Sequence, residues 1–157
     1  MKKMMKNRKG FTLMEMLIVV AIIAILVIIA IPTFNSALAK ARAATDVANI
    51  RSGYAAALVE AMTNGVDTNS GTTNNTYYLL KDGSVSNATA DTTNRYTTQG
   101  KSENATPKTM IGGKFEVNGG TGNVVTWEKN ATVSYTVEDV DGVPTVTTIT
   151  TTAASGD

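Results

Sequence analysis

Residues Phe11 to Ile31, FTLMEMLIVVAIIAILVIIAI, hold only two polar side chains in twenty-one, Thr12 and Glu15. As a helix rising about 1.5 Å per residue the run is roughly 31 Å long, matching a hydrocarbon core of about 30 Å. Its β-branched residues favour strand in a soluble protein, but its length argues for a helix that is hydrophobic all round and spans a bilayer. Lys2, Lys3, Lys6, Arg8 and Lys9 precede it. Basic flanks stay on the cytoplasmic side, so the remainder of the chain is translocated. A secretory signal peptide shares the basic start, but its apolar stretch is about 7 to 15 residues and closes on a small-residue cleavage site. This run is longer and has no such site. A plain signal anchor accounts for everything except Glu15.

A carboxylate inside a spanning segment is expensive, and such residues usually have a partner and a function. The run offers Glu15 no cation, and the basic residues before it sit at the membrane surface. Cleavage between Gly10 and Phe11 would create an α-amino group four positions away. Within one helix the two charges meet at i,i+4; between subunits they meet only if one helix is displaced along another. The second arrangement is an assembly rule, in which each incoming subunit is drawn in until its charge is neutralised. Pro32 closes the run, where it removes one helical hydrogen bond and restricts Ile31. It marks either a kink or the membrane exit.

The stretch Lys9-Gly10-Phe11-Thr12-Leu13-Met14-Glu15-Met16-Leu17 resembles the prepilin cleavage and methylation motif of type IV pilins and of their secretion and competence relatives. The likeness extends from about Lys9 to Pro32. It implies that a prepilin peptidase in the membrane cuts after Gly10 and methylates the amine of Phe11, and that Glu15 takes part in filament assembly. It also implies a helix bend near Pro32. The partners it implies are identical or homologous subunits in a helical polymer, the peptidase, the membrane and the pilus assembly machinery. The chain would begin as a single-pass precursor of the cytoplasmic membrane with its N-terminus inside, and end in an extracellular filament. A structural pilus subunit is the first reading; a minor pilin or a pseudopilin of a secretion or DNA-uptake apparatus shares every one of these features. A surface-binding module on an uncut anchor is a third.

Beyond Pro32 apolar residues recur at steps of three or four: Phe34, Leu38, Ala41, Ala44, Val47, Ile50, and on through Tyr54 and Leu58 to Met62. Lys40, Arg42, Asp46, Arg51 and Glu60 fall on the remaining surface, which makes this an amphipathic helix. Asn64-Gly65 supplies its stop. A polar linker, Asn64 to Thr76, leads to the apolar patch Tyr77 to Leu80, and the sparse apolar content from Asp82 to Pro107 predicts a long surface loop. Alternation at Phe115/Val117, Val125/Trp127, Val133/Tyr135/Val137 and in the Thr-rich stretch from Pro144 predicts an antiparallel meander of three or four strands. The expected fold is therefore α+β, a long N-terminal helix on a small antiparallel sheet. The division is a basic leader at 1–10, a membrane and filament-core helix at 11–32, an amphipathic helix at 33–63 and a head at 64–157.

The sequence has no cysteine and no histidine, which removes disulfides, thiolate chemistry and the commonest general base and metal ligand. No enzyme and no cofactor is expected. Without the five leader cations, nine Lys and Arg face thirteen Asp and Glu with no basic stripe, so direct nucleic-acid binding is not expected either. Glu138, Asp139 and Asp141 form the one dense carboxylate group, with oxygen donors suited to calcium but without EF-hand spacing. A solvated turn is the simpler reading. Asn74, Asn87, Asn104 and Asn130 each precede a Thr by two positions, as expected by chance in a chain rich in both. Trp127, Tyr135 and Phe115 are read as core aromatics ahead of a binding platform.

Overall fold

A computed structural model describes residues 10–66, 75–87, 92–105, 110–117 and 123–153. The basic leader before Gly10, Asn74 and most of the polar linker lie outside the described residues. The chain divides into two compact units, 1–37 and 38–157.

The first unit is helical from Leu13, the start of α1, Leu13–Asn64. The helical assignment runs unbroken through Pro32, which has no N–H to offer the carbonyl of Ile28. The Thr33 hydroxyl donates back to Ile29 O at 3.3 Å. Every described residue of this unit is exposed, with Leu13 at 92% and Ile28 at 72%.

The second unit begins with the rest of α1, which ends at Asn64 against the expected stop. Gly65 has φ +76°, the left-handed conformation that closes helices and that a side chain disfavours. Two sheets follow. The first has the order β2-β1-β6-β7, from β1 (Thr76–Leu79), β2 (Val85–Ser86), β6 (Ala131–Val140) and β7 (Val143–Ala153), with every pair antiparallel. The second has the order β3-β4-β5, from β3 (Met110–Ile111), β4 (Phe115–Val117) and β5 (Asn123–Val125).

The α+β expectation holds, while the meander does not. Only β6 and β7 form the expected hairpin, turning at Asp141 and Gly142 with φ +56° and +82°. The apolar patch from Tyr77 supplies β1, paired to the centre of β6. β4 and β5 run parallel, despite the Asn-Gly-Gly signal between them.

The buried face of α1 is also displaced from the expected stripe. Ala43, Asp46, Val47, Ile50, Gly53, Ala57 and Ala61 are buried, whereas Ala41, Ala44 and Met62 are exposed and Tyr54 and Leu58 are half-buried. Small residues win because the sheet approaches the helix backbone. A Cβ on Gly53 would meet the Tyr135 hydroxyl and lie 2.7 Å from Leu79 Cδ1. The Tyr135 hydroxyl donates to Ile50 O at 2.8 Å, tying the centre of β6 to the helix. Burial pushes that phenol's pKa up. On the second sheet, Tyr54 meets Phe115 edge-on at 6.2 Å and Arg51 Nη2 donates to Met110 O at 3.1 Å.

Asp46, expected on the surface, is fully buried. Its Oδ1 accepts from Tyr96 Oη at 2.6 Å and Gln99 N at 2.9 Å; its Oδ2 accepts from Gly100 N at 2.7 Å and Trp127 Nε1 at 3.3 Å. The expected surface loop from Asp82 to Pro107 is therefore partly core, with Tyr96, Thr98, Ser102 and Ala105 buried. Buried backbone N–H groups need acceptors, and one carboxylate serves those of both Gln99 and Gly100. Gly100 packs so closely on the helix that a Cβ there would stand 2.8 Å from Ala43 N.

Candidate assembly site at the start of the long helix

Gly10, Phe11 and Thr12 precede the helix, exposed and outside regular structure. The space around Gly10 is open, and Phe11 is 78% exposed. Thr12 is the cap. Its N–H and its hydroxyl donate to Glu15 Oε2 at 2.8 and 2.9 Å, and its Oγ1 accepts from Glu15 N at 3.2 Å. Thr12 O accepts the first helical bond, from Met16 N at 3.3 Å. This is a capping box, in which Thr and Glu three residues apart satisfy each other's orphan groups at a helix start. The carboxylate also faces the positive end of the helix dipole.

The local geometry changes the account of Glu15. Its charge is held by Thr12 and the helix terminus within the uncut chain, so a cation is not required to place it there. Phe11 itself lies outside the helix. The pattern Thr-x-x-Glu was legible in the sequence, but in an apolar run it is easily read as two isolated polar residues.

Seventeen large apolar side chains from Phe11 to Phe34 stand exposed around the helix. Burying such side chains stabilises by about 1.5–3 kcal/mol each, so covering this surface is worth on the order of tens of kcal/mol, more than the whole stability of an ordinary domain. The run is long and apolar enough to cross a membrane, and none of it is buried by the chain itself. A soluble core helix is thereby excluded for this stretch, and an external apolar environment is required.

Residues 5–31 match the family model described as the prokaryotic N-terminal methylation motif. The amino terminus is thus similar to those of prokaryotic proteins that carry this motif. Two curated proteins from Pseudomonas aeruginosa, each named fimbrial protein, are 44% identical over 59 residues. That match covers 36% of this chain and 38% of each relative, so the chain spans well under half the length of the proteins it resembles. No solved structure gives a significant match. Beyond the pilin-like terminus, the likeness gives no account of the sheets.

The other candidate residues fall apart from this site. Glu138, Asp139 and Asp141 lie at the β6–β7 hairpin, where Asp139 Oδ1 accepts from Gly142 N at 2.7 Å and shapes the turn. Among the described residues no three acidic side chains are grouped to hold a metal. Asn87 and Asn130 are exposed; Asn130 has φ +66° in the turn before β6, and Asn104 ends a 3-10 turn, Ser102–Asn104. Trp127, Tyr135 and Phe115 are all buried, as core aromatics.

Proposed function

We propose that this chain is the structural subunit of a type IV pilus. Prepilin peptidase removes the leader after Gly10 and methylates Phe11. The apolar part of α1 holds the precursor in the cytoplasmic membrane and then enters the core of an extracellular filament, packed against the same segment of identical or homologous subunits. The observation that carries this reading is a methylation motif leading into a helix whose apolar surface is exposed on every side.

The exposed, non-helical Gly10–Phe11 link is suited to cleavage, since a protease must take its substrate backbone in extended form. Cutting there leaves the Thr12–Glu15 box intact and places a cationic amine one residue before the cap. In the filament, Glu15 accepts the Phe11 ammonium of a neighbour through a charge-assisted bond, strong in apolar surroundings. Pro32 provides the point at which the helix bends or loosens on leaving the membrane.

Mass spectrometry of sheared surface filaments tests the proposal. The expected product is an abundant chain beginning at N-methylated Phe11. Recovery only of the uncut chain, in the membrane fraction, would overturn it. A processed chain present in a few copies per filament would make it a minor pilin or pseudopilin instead.

A further inference from the structure

We infer that the tip of the β6–β7 hairpin is a contact between subunits, seated on the start of the second unit of another copy at Lys40 and Arg42. The inference rests on the filament reading above and adds to it a point where two heads meet.

The hairpin outruns the core it belongs to. Val137 is buried, but every residue from Glu138 to Val143 is exposed. Val140 and Val143 are direct cross-strand partners at its end, two large apolar side chains left in solvent. The turn itself does not need them, since Asp141 and Gly142 supply its positive φ and Asp139 Oδ1 holds Gly142 N at 2.7 Å. Glu138, Asp139 and Asp141 flank the valines, and no described cation pairs with any of the three. An apolar pair among carboxylates suits a partner surface that is apolar at its centre and cationic around it.

Such a surface stands at the opposite end of the same unit. Lys40 and Arg42 are exposed on α1 to either side of exposed Ala41, and no described carboxylate pairs with them. Of the charges beside them, Asp46 is buried among four donors, Lys101 pairs with Glu128, and Lys129 offsets Glu103. At the other end, no Lys or Arg lies between Leu58 and Asn64 or between Glu138 and Thr145. β6 advances in the sense of α1, since Asp46 meets Gln99 and Gly100, which follow the Thr98 bonded to Ala131, whereas Ile50 and Gly53 meet Tyr135. The hairpin tip therefore lies towards Asn64, and about 30 Å of helix separates Arg42 from that end. The two patches cannot meet within one copy. Stacked in the same sense, one copy presents its acidic tip to the basic start of the next, a heterologous contact of the kind that builds open filaments.

The chain has no cysteine, which opens the contact to cross-linking. Filaments sheared from cells carrying A41C/V140C and then oxidised should give covalent dimers and longer ladders, whereas either cysteine alone should give none. Charge tests the same pairing. K40E/R42E sets like charges face to face and should lower filament yield by roughly tenfold or more. Adding E138K/D141N removes that repulsion and should regain most of the yield; Asp139 is kept for the turn, and Asn tolerates the positive φ of position 141. Filaments of processed A41C/V140C chain without cross-links, or a K40E/R42E loss untouched by E138K/D141N, would overturn the contact and leave the filament reading standing. Absence of surface filaments from the unaltered chain would overturn both.

Discussion

The two halves of α1 treat apolar and charged residues in opposite ways. From Leu13 to Ala37 every side chain is exposed and most are large and apolar, and the one carboxylate, Glu15, sits at the capped end. From Leu38 to Asn64 the buried positions are mostly small, Ala43, Gly53, Ala57 and Ala61, with a carboxylate among them, Asp46. Each carboxylate is held by hydrogen-bond donors, two groups of Thr12 in one case and four donors around Asp46 in the other. Large residues wait for a partner outside the chain. Small residues and a buried acceptor let the chain's own sheets and loop come close. Hydrophobicity alone therefore does not mark the internal face of this helix; side-chain size and hydrogen-bond capacity do.

The largest effect expected is at Glu15, where two roles can be separated. Gln serves in a capping box as Glu does, so Glu15→Gln preserves the local structure and removes the charge. If the carboxylate neutralises a neighbour's Phe11 amine, Glu15→Gln loses surface filaments as completely as Glu15→Ala, while Thr12→Ala, which weakens only the cap, retains most of them. Filament yield by shearing and electrophoresis reads this directly. Normal yield from Glu15→Gln would reduce Glu15 to a cap and remove the functional half of the comparison.

Asp46 tests the other half. Asp46→Ala strands the N–H groups of Gln99 and Gly100 and the Tyr96 hydroxyl, and unsatisfied buried donors cost about 1–3 kcal/mol each before relaxation. A loss of about 3 kcal/mol is expected, measured by denaturation of the full chain in detergent with Trp127 fluorescence as the probe. A loss below about 1 kcal/mol would mean that water or rearrangement replaces the carboxylate, and that the loop is not clamped as described.

These two sites also mark the limits of what could be read in advance. The long apolar helix, the N-terminal methylation motif, the helix end at Asn64-Gly65 and the alternation of β6 were all legible, because each depends on local periodicity or on a short motif. Asp46 was not: a charged residue in an amphipathic helix is ordinarily solvated, and the donors that bury it arrive from Tyr96 to Trp127, fifty to eighty-one positions away. The buried stripe was hidden for a related reason, since size and apolarity point to Tyr54, Leu58 and Met62, whereas Gly53, which fits beneath Tyr135 and Leu79, and the buried alanines carry no such signal. Parallel pairing of β4 with β5 was hidden by a turn signal that resembles a hairpin. The Thr12–Glu15 box was visible as a pattern but obscured by its apolar surroundings.

Gly53 gives a smaller effect with an informative sign. Gly to Ala within a helix ordinarily stabilises, by about 0.8–1 kcal/mol. Here the new methyl must displace the ring and hydroxyl of Tyr135, and overpacking of that kind costs about 1–3 kcal/mol. Gly53→Ala should therefore destabilise the unit by about 1–2 kcal/mol net, whereas Gly65→Ala, outside the core, fails only through its positive φ. A stabilising Gly53→Ala would show that the sheet is not seated on the helix backbone.

Alkaline titration probes the contact between Tyr96 and Asp46. Burial, and then the hydrogen bond to Asp46, push the Tyr96 phenol up to about 12. A phenol whose pKa is raised on folding favours the protonated form in the native state. Its contribution is thus complete below the ordinary tyrosine range near 10 and is lost as pH climbs towards 12. Tyr96→Phe should shift the alkaline unfolding midpoint, read by circular dichroism against pH.

The smallest effect belongs to Lys101 and Glu128, an ion pair at 2.8 Å with both side chains about half exposed or more. Glu128 raises the Lys101 pKa through the hydrogen bond and its charge, so the pair persists until pH passes the ordinary lysine range. Solvent screens such pairs, and ordering two long side chains offsets most of the attraction. Lys101→Ala should leave the denaturation midpoint unchanged within error and insensitive to added salt, in contrast to Asp46→Ala only fifty-five positions earlier in the chain. The pair joins the same loop to the segment carrying Trp127, so a large effect from Lys101→Ala would transfer the clamp from the buried carboxylate to the surface and invert the contrast between donors and charges drawn above.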